Sequence, residues 1–414
     1  MQAGIRAVDA GRLVRDALAA REPGDHPPFW VIAAGKAASA MARAAVEWGG
    51  ARVRGGVVIS PDGDAPAPLH GIRGEHPQPG RGSEEGGRRA LAVAAAVPHD
   101  AELLTLISGG ASSLMAAPVD DITLHDKREA TGVLLRSGAD IYALNTVRKH
   151  LSAIKGGRLA TACRGRHHAY VLSDVVGDDL SVIASGPTVP DPSTFGDALF
   201  ILDRFGGRHA YPDAVVSYLV AGASGDRPES PKPGDPRFAS TRTILIGSRV
   251  HAMRGAADEA RRLGYDVRIV DDAVVGEARL AGPAFVERCL TLVPAMRRPS
   301  CIVASGETTV RVIGRGSGGR NQEFALAAAE TLARTLSPAA VASAGTDGVD
   351  GPTDAAGAFV DGRTVQRGAA AGLPSIDRVL AANDAYYYLQ PLGLLIRTGP
   401  TGTNVGDLQV FLLA

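Results

Sequence analysis

The chain alternates short, nearly unbroken apolar runs with longer stretches in which apolar positions recur every three or four residues. In the first half the runs are FWVIAAG (29–35), GGVVIS (55–60), ELLTLISGG (102–110) and AYVLSDV (169–175). A second series holds TRTILIGS (241–248), YDVRIVD (265–271), SCIVASGE (300–307), TTVRVIG (308–314), AAVASAGTD (339–347) and LLIRTGP (394–400). Helical patterns such as ASAMARAAVEW (38–48) and HAMRGAADEARRLG (251–264) lie between them. Continuous apolar runs read as strands buried on both faces, and their alternation with helices predicts a parallel or mixed sheet covered on each side. The polar stretch GASGDRPESPKPGDPRF (222–238) is rich in Pro, Gly and Ser and predicts a boundary. The expected organisation is therefore two α/β domains, a Rossmann-like one over 1–233 and a smaller one over 234–414.

Composition narrows the function. Acidic and basic residues balance at 44 each, so no net field draws the chain to nucleic acid or to a membrane surface. Aromatic residues make up 5%, too few for base stacking to be its main business. Cys163, Cys289 and Cys301 are odd in number and widely spaced, which fits a reducing cytoplasm and no structural zinc. The N-terminal segment MQAGIRAVDAGRLVRDALAA breaks each apolar run with Arg or Asp, as an amphipathic helix does and a signal peptide does not. No apolar run approaches the ~18 residues of a membrane span. The expectation is a soluble cytoplasmic protein, monomeric or homodimeric.

The 51 glycines gather at the ends of the apolar runs, where ligands sit in open α/β sheets. Lys36 follows the first run and opens a helix of small residues, a place from which a cation reaches an anion; an ordinary solvated lysine would look the same. The turn SGGASS offers Ser108, Gly109, Gly110 and Ser112, hydroxyls and amides suited to a phosphate or carboxylate, and lacks the G-x-S-x-G of a serine hydrolase. In NTVRKHLSAIKGGRLA, Asn145, Arg148, Lys149 and Lys155 form a basic group, with Arg148 and Lys155 expected on one helical face. Asp174 and Asp178 follow the fourth run and match the few carboxylates that Mg²⁺ prefers, although Asp is also a common turn former. Ser185 and Thr188 come next, in SGPT. The second half repeats the pattern, with Glu307 in SGETT and with Thr346 and Asp347 in AGTDGVDGPTDAAGA. All ten histidines lie at or before His251, so base chemistry there falls to carboxylates.

The densest motif is GRGSGGRNQEF (314–324), with Arg320, Asn321 and Gln322. It spells G-x-G-x-x-G between an apparent strand and an expected helix NQEFALAAAETLARTL, the context of a dinucleotide fingerprint. Its late position, its two arginines and the polar start of the helix argue against a nicotinamide or flavin site. Cations, carboxylates, hydroxyls and glycine amides together are the inventory of phosphoryl transfer.

Taken in order, SGGASSLMAAP, NTVRKHLSAIKGGRLA, SDVVGDDLSVIASGPTVPD, GRGSGGRNQE and AGTDGVDGPTDAAGA resemble the class II glycerate kinases, the glycerate 2-kinase or MOFRL-containing family. The resemblance spans nearly the whole chain, with SGET (305–308) standing where the family has SGGET. It implies a C-terminal MOFRL-type domain and an active site in the cleft between the domains. It also implies transfer of phosphate from ATP, with Mg²⁺ or a similar ion, to the 2-hydroxyl of D-glycerate. The family's proposed catalytic lysine and arginine fall on Lys36 and Arg320. On this reading Arg320 clamps the glycerate carboxylate or the transferring phosphoryl group, Lys36 neutralises phosphoryl charge, and Asp347 or Asp174 serves the metal or the hydroxyl. A kinase for another small hydroxy acid, such as a hydroxypyruvate-like compound, and a non-catalytic sensor of phosphorylated acids would use the same groups.

Overall fold

The computed structural model describes residues 1–21, 27–335 and 337–414, which fall into two compact units, 10–246 and 1–9 with 247–414. The first unit is built on a six-stranded sheet. Its strands are β1 (Phe29–Ala34), β2 (Val53–Ser60), β3 (His70–Arg73), β4 (Glu102–Ile107), β5 (Arg166–Leu172) and β6 (Thr241–Gly247), in the order β3-β2-β1-β4-β5-β6. The pairings β2–β3, β1–β2, β1–β4 and β4–β5 are parallel. All six residues of β4 are buried, as are five of six in β1, because helices cover both faces. The strand order reverses between β1 and β4, the switch point at which open α/β sheets form their ligand crevice.

Two helices beside that crevice are well specified by their ends. Thr123 and Asp126 form a reciprocal capping box on Leu124–Arg136, and the Asp140 side chain caps Ile141–His150 at the amide of Ala143. Their inner faces pack with Phe195, Leu199 and Leu202 of Phe195–Arg204 in a helical core of their own.

The second unit carries a mixed sheet. Its strands are β7 (Asp266–Ile269), β8 (Val274–Glu277), β9 (Ser300–Thr309), β10 (Ala339–Gly345), β11 (Gly357–Asp361), β12 (Leu395–Ile396) and β13 (Asp407–Leu413), in the order β12-β11-β10-β13-β9-β7, with β8 also paired to β9. β9 is parallel to β7 and β8, whereas β13 is antiparallel to both β9 and β10. The helix Arg320–Ala333 is buried along most of its length, and Phe324 meets Phe285 with ring centroids 5.7 Å apart. Among the described residues no helix is long and apolar enough to cross a membrane.

Three expectations change. The division expected at 233/234 shifts to 246/247, because β6 is hydrogen-bonded into the first sheet. The Pro-rich stretch belongs to the first unit, tied down by Ser230 on Asp191 and by the Asp191 amide on the Pro231 carbonyl. The runs 300–307 and 308–314 are not two strands: β9 ends at Thr309, and Val312 and Ile313 stand 74% and 60% exposed in an irregular loop. The expected helix after that loop ends at Ala333, and the last residue of its pattern, Leu336, lies outside the described residues.

Candidate functional site

In the first unit the turns after β1 and β4 touch. The amide of Lys36 donates to the Gly109 carbonyl at 2.9 Å, and the amide of Ala37 donates to Ser108 Oγ at 3.0 Å. Gly35 lies at φ +126° hard against Ser108, where a Cβ would overlap the serine, so only glycine lets the turns approach. Gly110, at φ +82°, faces His76 and the Lys36 side chain, and the Lys36 side chain itself is exposed. Ser108 and Gly109 thus hold the two turns together, while Lys36 is presented from them.

Behind this junction lies a chain of neutral polar groups. Lys155 Nζ donates to Ser112 O at 2.8 Å and to Ser112 Oγ at 2.7 Å, with longer contacts to Ala184 O and Ser185 Oγ. Ser185 donates to Asn145 Oδ1 at 2.9 Å, and Asn145 donates to Val182 O. Ala184 and Ser185 adopt φ of 54° and 61°, unusual for residues with a Cβ, and this turn aims their oxygens at Lys155. The expected helical face joining Arg148 to Lys155 is absent, because the helix stops at His150 and Gly156 and Gly157 turn the chain left-handed. The two cations nevertheless line one cavity of about 680 Å³, together with Ser112 and Lys127.

Lys127 was not legible as a site residue. It is 3% exposed, and among the described residues its Nζ reaches only the Leu151 carbonyl, at 3.4 Å. Burial, and then the charge of Arg148, lowers its ammonium to about 7. Burial, and then Lys127 and Arg148, holds Lys155 far below the ordinary lysine range, and burial also lowers Arg148. Lys149 and Thr188 do not join this group. Lys149 pairs with the fully buried Asp191 at 3.3 Å, and Thr188 accepts from Thr243.

Asp174 and Asp178 lie in the loop after β5. Asp178 sits at φ 54°, and its Oδ1 is buried without a hydrogen-bond partner. Among the described residues no group of three or more His, Cys, Asp or Glu could hold a metal. Mg²⁺ needs fewer, since it is commonly held by one or two carboxylates with waters and substrate phosphates. An orphaned carboxylate oxygen in a loop that also carries Asp174 fits such an ion.

In the second unit the glycine loop has a different job from the one its motif suggests. The amides of Ile313 and Gly314 both donate to Asn383 Oδ1 at 2.8 Å, that of Gly316 to Ala382 O and that of Ser317 to Asp384 Oδ1. The helix N-terminus that would receive a phosphate is filled by Asp350, whose two oxygens accept from the amides of Asn321 (3.0 Å) and Gln322 (2.9 Å). These loop amides are therefore already engaged, and the helix already carries an anion. Burial, with the Asp407 charge adding to it, raises Asp350 to about 6 against these hydrogen bonds.

Arg320 opens the same helix. Its Nε and Nη2 donate to Asp407 at 2.7 and 2.9 Å, and its Nη1 donates to Glu307 at 2.8 Å. Burial alone would lower the guanidinium; Asp407, then Glu307 and Asp350, instead drive it upward. Asn321 Nδ2 bridges Asp350 and Asp407, and Gln322 holds Thr353. Thr346 Oγ1 donates to the Gly406 carbonyl and the Thr346 carbonyl accepts from Thr401 Oγ1, so Thr346 is structural in character, while Asp347 Oδ1 accepts from the amide of Val349. Asp407 sits in a stretch that reads only as a polar glycine turn, whereas Asp350 shares AGTDGVDGPTDAAGA with Asp347, where acids crowded with glycines suggest a metal or a general base.

A parallel sheet whose switch point presents a lysine over glycine turns and buried cations belongs to an α/β enzyme handling a small anion. The model of a domain of unknown function, DUF4147, matches residues 1–220, and the MOFRL family model matches residues 300–407. The chain is 39% identical over 391 residues to the D-glycerate 2-kinase of Thermotoga maritima, covering 92% of this chain and 90% of that one. It is equally 39% identical over 393 residues, covering 92% and 86%, to an Agrobacterium vitis protein that bears the name of a hydroxypyruvate reductase. The crystal structure of a glycerate kinase from Thermotoga maritima superposes with a TM-score of 0.88 over 99% of this chain and 97% of that one, at 37% identity. The chain belongs to the DUF4147–MOFRL glycerate kinase family.

Proposed function

We propose that the protein transfers the γ-phosphoryl group of ATP to the 2-hydroxyl of D-glycerate, giving 2-phosphoglycerate and ADP. The observation that carries this reading is the switch-point junction, where Lys36 stands over the Gly109–Gly110 turn beside a cavity lined by cations. Phosphoryl transfer asks little of a protein beyond positioning and charge neutralisation, and these groups offer both. The hydroxyl oxygen forms a bond to the γ-phosphorus as the bond to the β,γ-bridging oxygen breaks. ADP leaves with that electron pair, and the hydroxyl proton passes to a carboxylate, for which we assign Asp347. Lys36 neutralises charge on the transferring group. Asp174 and Asp178 would hold Mg²⁺, which supplies further charge neutralisation on the phosphates when bound.

Arg320 enters with a restriction. Asp407 occupies one edge of its guanidinium, so a carboxylate or phosphoryl group would meet it by displacing Glu307, which is half exposed. The reductase name carried by one relative gains no support from the glycine loop, since Asp350 fills the helix terminus that a pyrophosphate would need.

The test is ATP, Mg²⁺ and D-glycerate with purified protein, followed by ³¹P NMR and by coupling through enolase, which accepts the 2-phosphate. Signal without added mutase is the expected result. Signal only with mutase would make the product the 3-phosphate. Phosphorylation of a hydroxypyruvate-like acid in place of glycerate, or ligand binding without turnover, would move the chain to the corresponding alternative.

A further inference from the structure

The cavity beside Ser112 is larger and more cationic than a three-carbon acid requires. Its volume, about 680 Å³, lies in the ~300–1,000 Å³ range of pockets for ligands of nucleotide size. Lys127, Arg148 and Lys155 all line it, and among the described residues none of them has a carboxylate within hydrogen-bond reach. Arg128 and Arg136 stand at its edge, with Arg128 held by Gln78. The single acidic residue of the lining, Glu129, is exposed and lies 3.8 Å from His125 on its own helix. Buried charges are normally paired, because an unpaired one costs several kcal/mol. Lys127 is the sharpest case: almost fully buried, it has among the described residues one distant carbonyl for a partner. A site that keeps uncompensated cations against a cavity is arranged for an anion that arrives from outside.

Pro77, Pro79, Ala116 and Leu135 add apolar surface to the same lining. A single carboxylate would need one cation or one guanidinium fork, whereas adjacent phosphates would use three cations at once.

We propose that this cavity is the donor pocket, and that Lys127, Arg148 and Lys155 bind the polyphosphate of a nucleoside triphosphate whose ribose and base lie along the Pro77–Pro79 wall. The choice of a nucleotide rests on the kinase reading above; the presence of a polyphosphate site does not. Lys127 is a binding residue here, and nothing in its local sequence marks it.

The test is calorimetric titration of wild-type protein, Lys127→Met and Arg148→Met with ATP–Mg²⁺, ADP, inorganic tripolyphosphate and D-glycerate. Loss of one charged hydrogen bond should weaken ATP, ADP and tripolyphosphate by ~10–100-fold in each variant. D-glycerate affinity should stay unchanged. Two variants guard against one failing to fold, which thermal melting would reveal. Unchanged nucleotide affinity overturns the proposal, and so does a loss confined to D-glycerate, which would make the cavity the acceptor site. Lys127-dependent tripolyphosphate binding that is indifferent to the nucleoside would keep the anion site and overturn the donor assignment. A protein that binds ATP through Lys127 yet phosphorylates no hydroxy acid would sink the kinase reading and leave the pocket standing. Glycerate phosphorylation with ATP affinity untouched in Lys127→Met would do the reverse.

Discussion

Arg320 grips Asp407 through two parallel hydrogen bonds, Nε at 2.7 Å and Nη2 at 2.9 Å, and Asp407 is fully buried. Such a fork fixes the first turn of its helix against the edge of β13 and offsets two clustered carboxylates, Asp407 and Asp350. An arginine in this position holds the fold as well as any ligand. Arg320→Ala should therefore lower stability by ~3–5 kcal/mol, the usual penalty for leaving a buried carboxylate without its partner. Glu307→Gln, at an exposed carboxylate, should cost under ~1 kcal/mol. Urea unfolding of both variants decides the matter. An unchanged midpoint for Arg320→Ala would mean that the pairing is dispensable and that the guanidinium serves ligands alone.

Lys36 makes the opposite case. Its backbone amide joins the two switch-point turns, but its side chain is exposed. Lys36→Ala should leave the melting curve within ~0.5 kcal/mol of wild type and reduce turnover by ~10²–10³, as loss of one charge stabiliser commonly does. Steady-state kinetics of a variant shown folded would check it, and near-normal kcat would remove the lysine from the mechanism.

Gly35→Ala tests the junction itself. The backbone there is at φ +126°, and the added methyl would run into Ser108. Strain and overlap together should cost ~2–3 kcal/mol and displace Lys36 from the Gly109 carbonyl. The expected outcome is a lower melting temperature with a kcat loss approaching that of Lys36→Ala. Full activity would show that the close approach of the two turns is not needed.

Much of this architecture was legible from pattern. FWVIAAG and ELLTLI are continuous apolar runs because helices cover both faces of β1 and β4, and the ligand-type residues follow them as strand-end logic requires. What failed did so where meaning is tertiary. Val310 and Val312 alternate with Arg311 as in a strand, yet the chain has left the sheet at Thr309 and, among the described residues, no partner strand meets them there. DLQVFLL, by contrast, stands outside the expected strands and forms β13, a central strand between β9 and β10. The glycine loop reads as a phosphate cradle until Asn383 and Asp350, from distant segments, take its amides. Lys127 sits in LHDKREA, which looks like any solvated helix face. Only the return of the chain at Leu151 encloses it.

An acid-sensitive element lies at the start of β4. Burial alone would raise the Glu102 carboxyl, but His168 at 3.2 Å and the bidentate Arg21 at 2.8 and 2.7 Å pull it down to about 2. A depressed carboxylate contributes stability that is present above its unfolded value near 4.5 and is lost as pH falls toward 2. Urea midpoints should thus fall between pH 4.5 and 2 more steeply in wild type than in Glu102→Gln. At pH 7 the variant should be weaker by roughly 3 kcal/mol. Parallel pH profiles for the two proteins would show that the ion pair contributes nothing.

Lys127 carries the reverse sign. Its ammonium is lowered from 10.5 to about 7, so above pH 7 the folded protein holds fewer protons than the unfolded chain. Stability from this group therefore rises as pH climbs from 7 to 10.5, and its penalty is fully present below 7. Lys127→Met removes the penalty and fills similar space, so it should stabilise the protein at pH 7 by on the order of a few kcal/mol and flatten the rise toward pH 10. Denaturant titrations at pH 6, 7.5 and 9 measure both effects. An anion bound in the cavity should mimic the low-pH state, holding the ammonium charged and releasing the strain, so tripolyphosphate should raise the wild-type melting temperature and leave Lys127→Met almost unmoved. A residue that destabilises its own fold is retained for what it binds. If the methionine variant is instead less stable at every pH, Lys127 is a packing residue and the cavity loses its strongest claim to an anion.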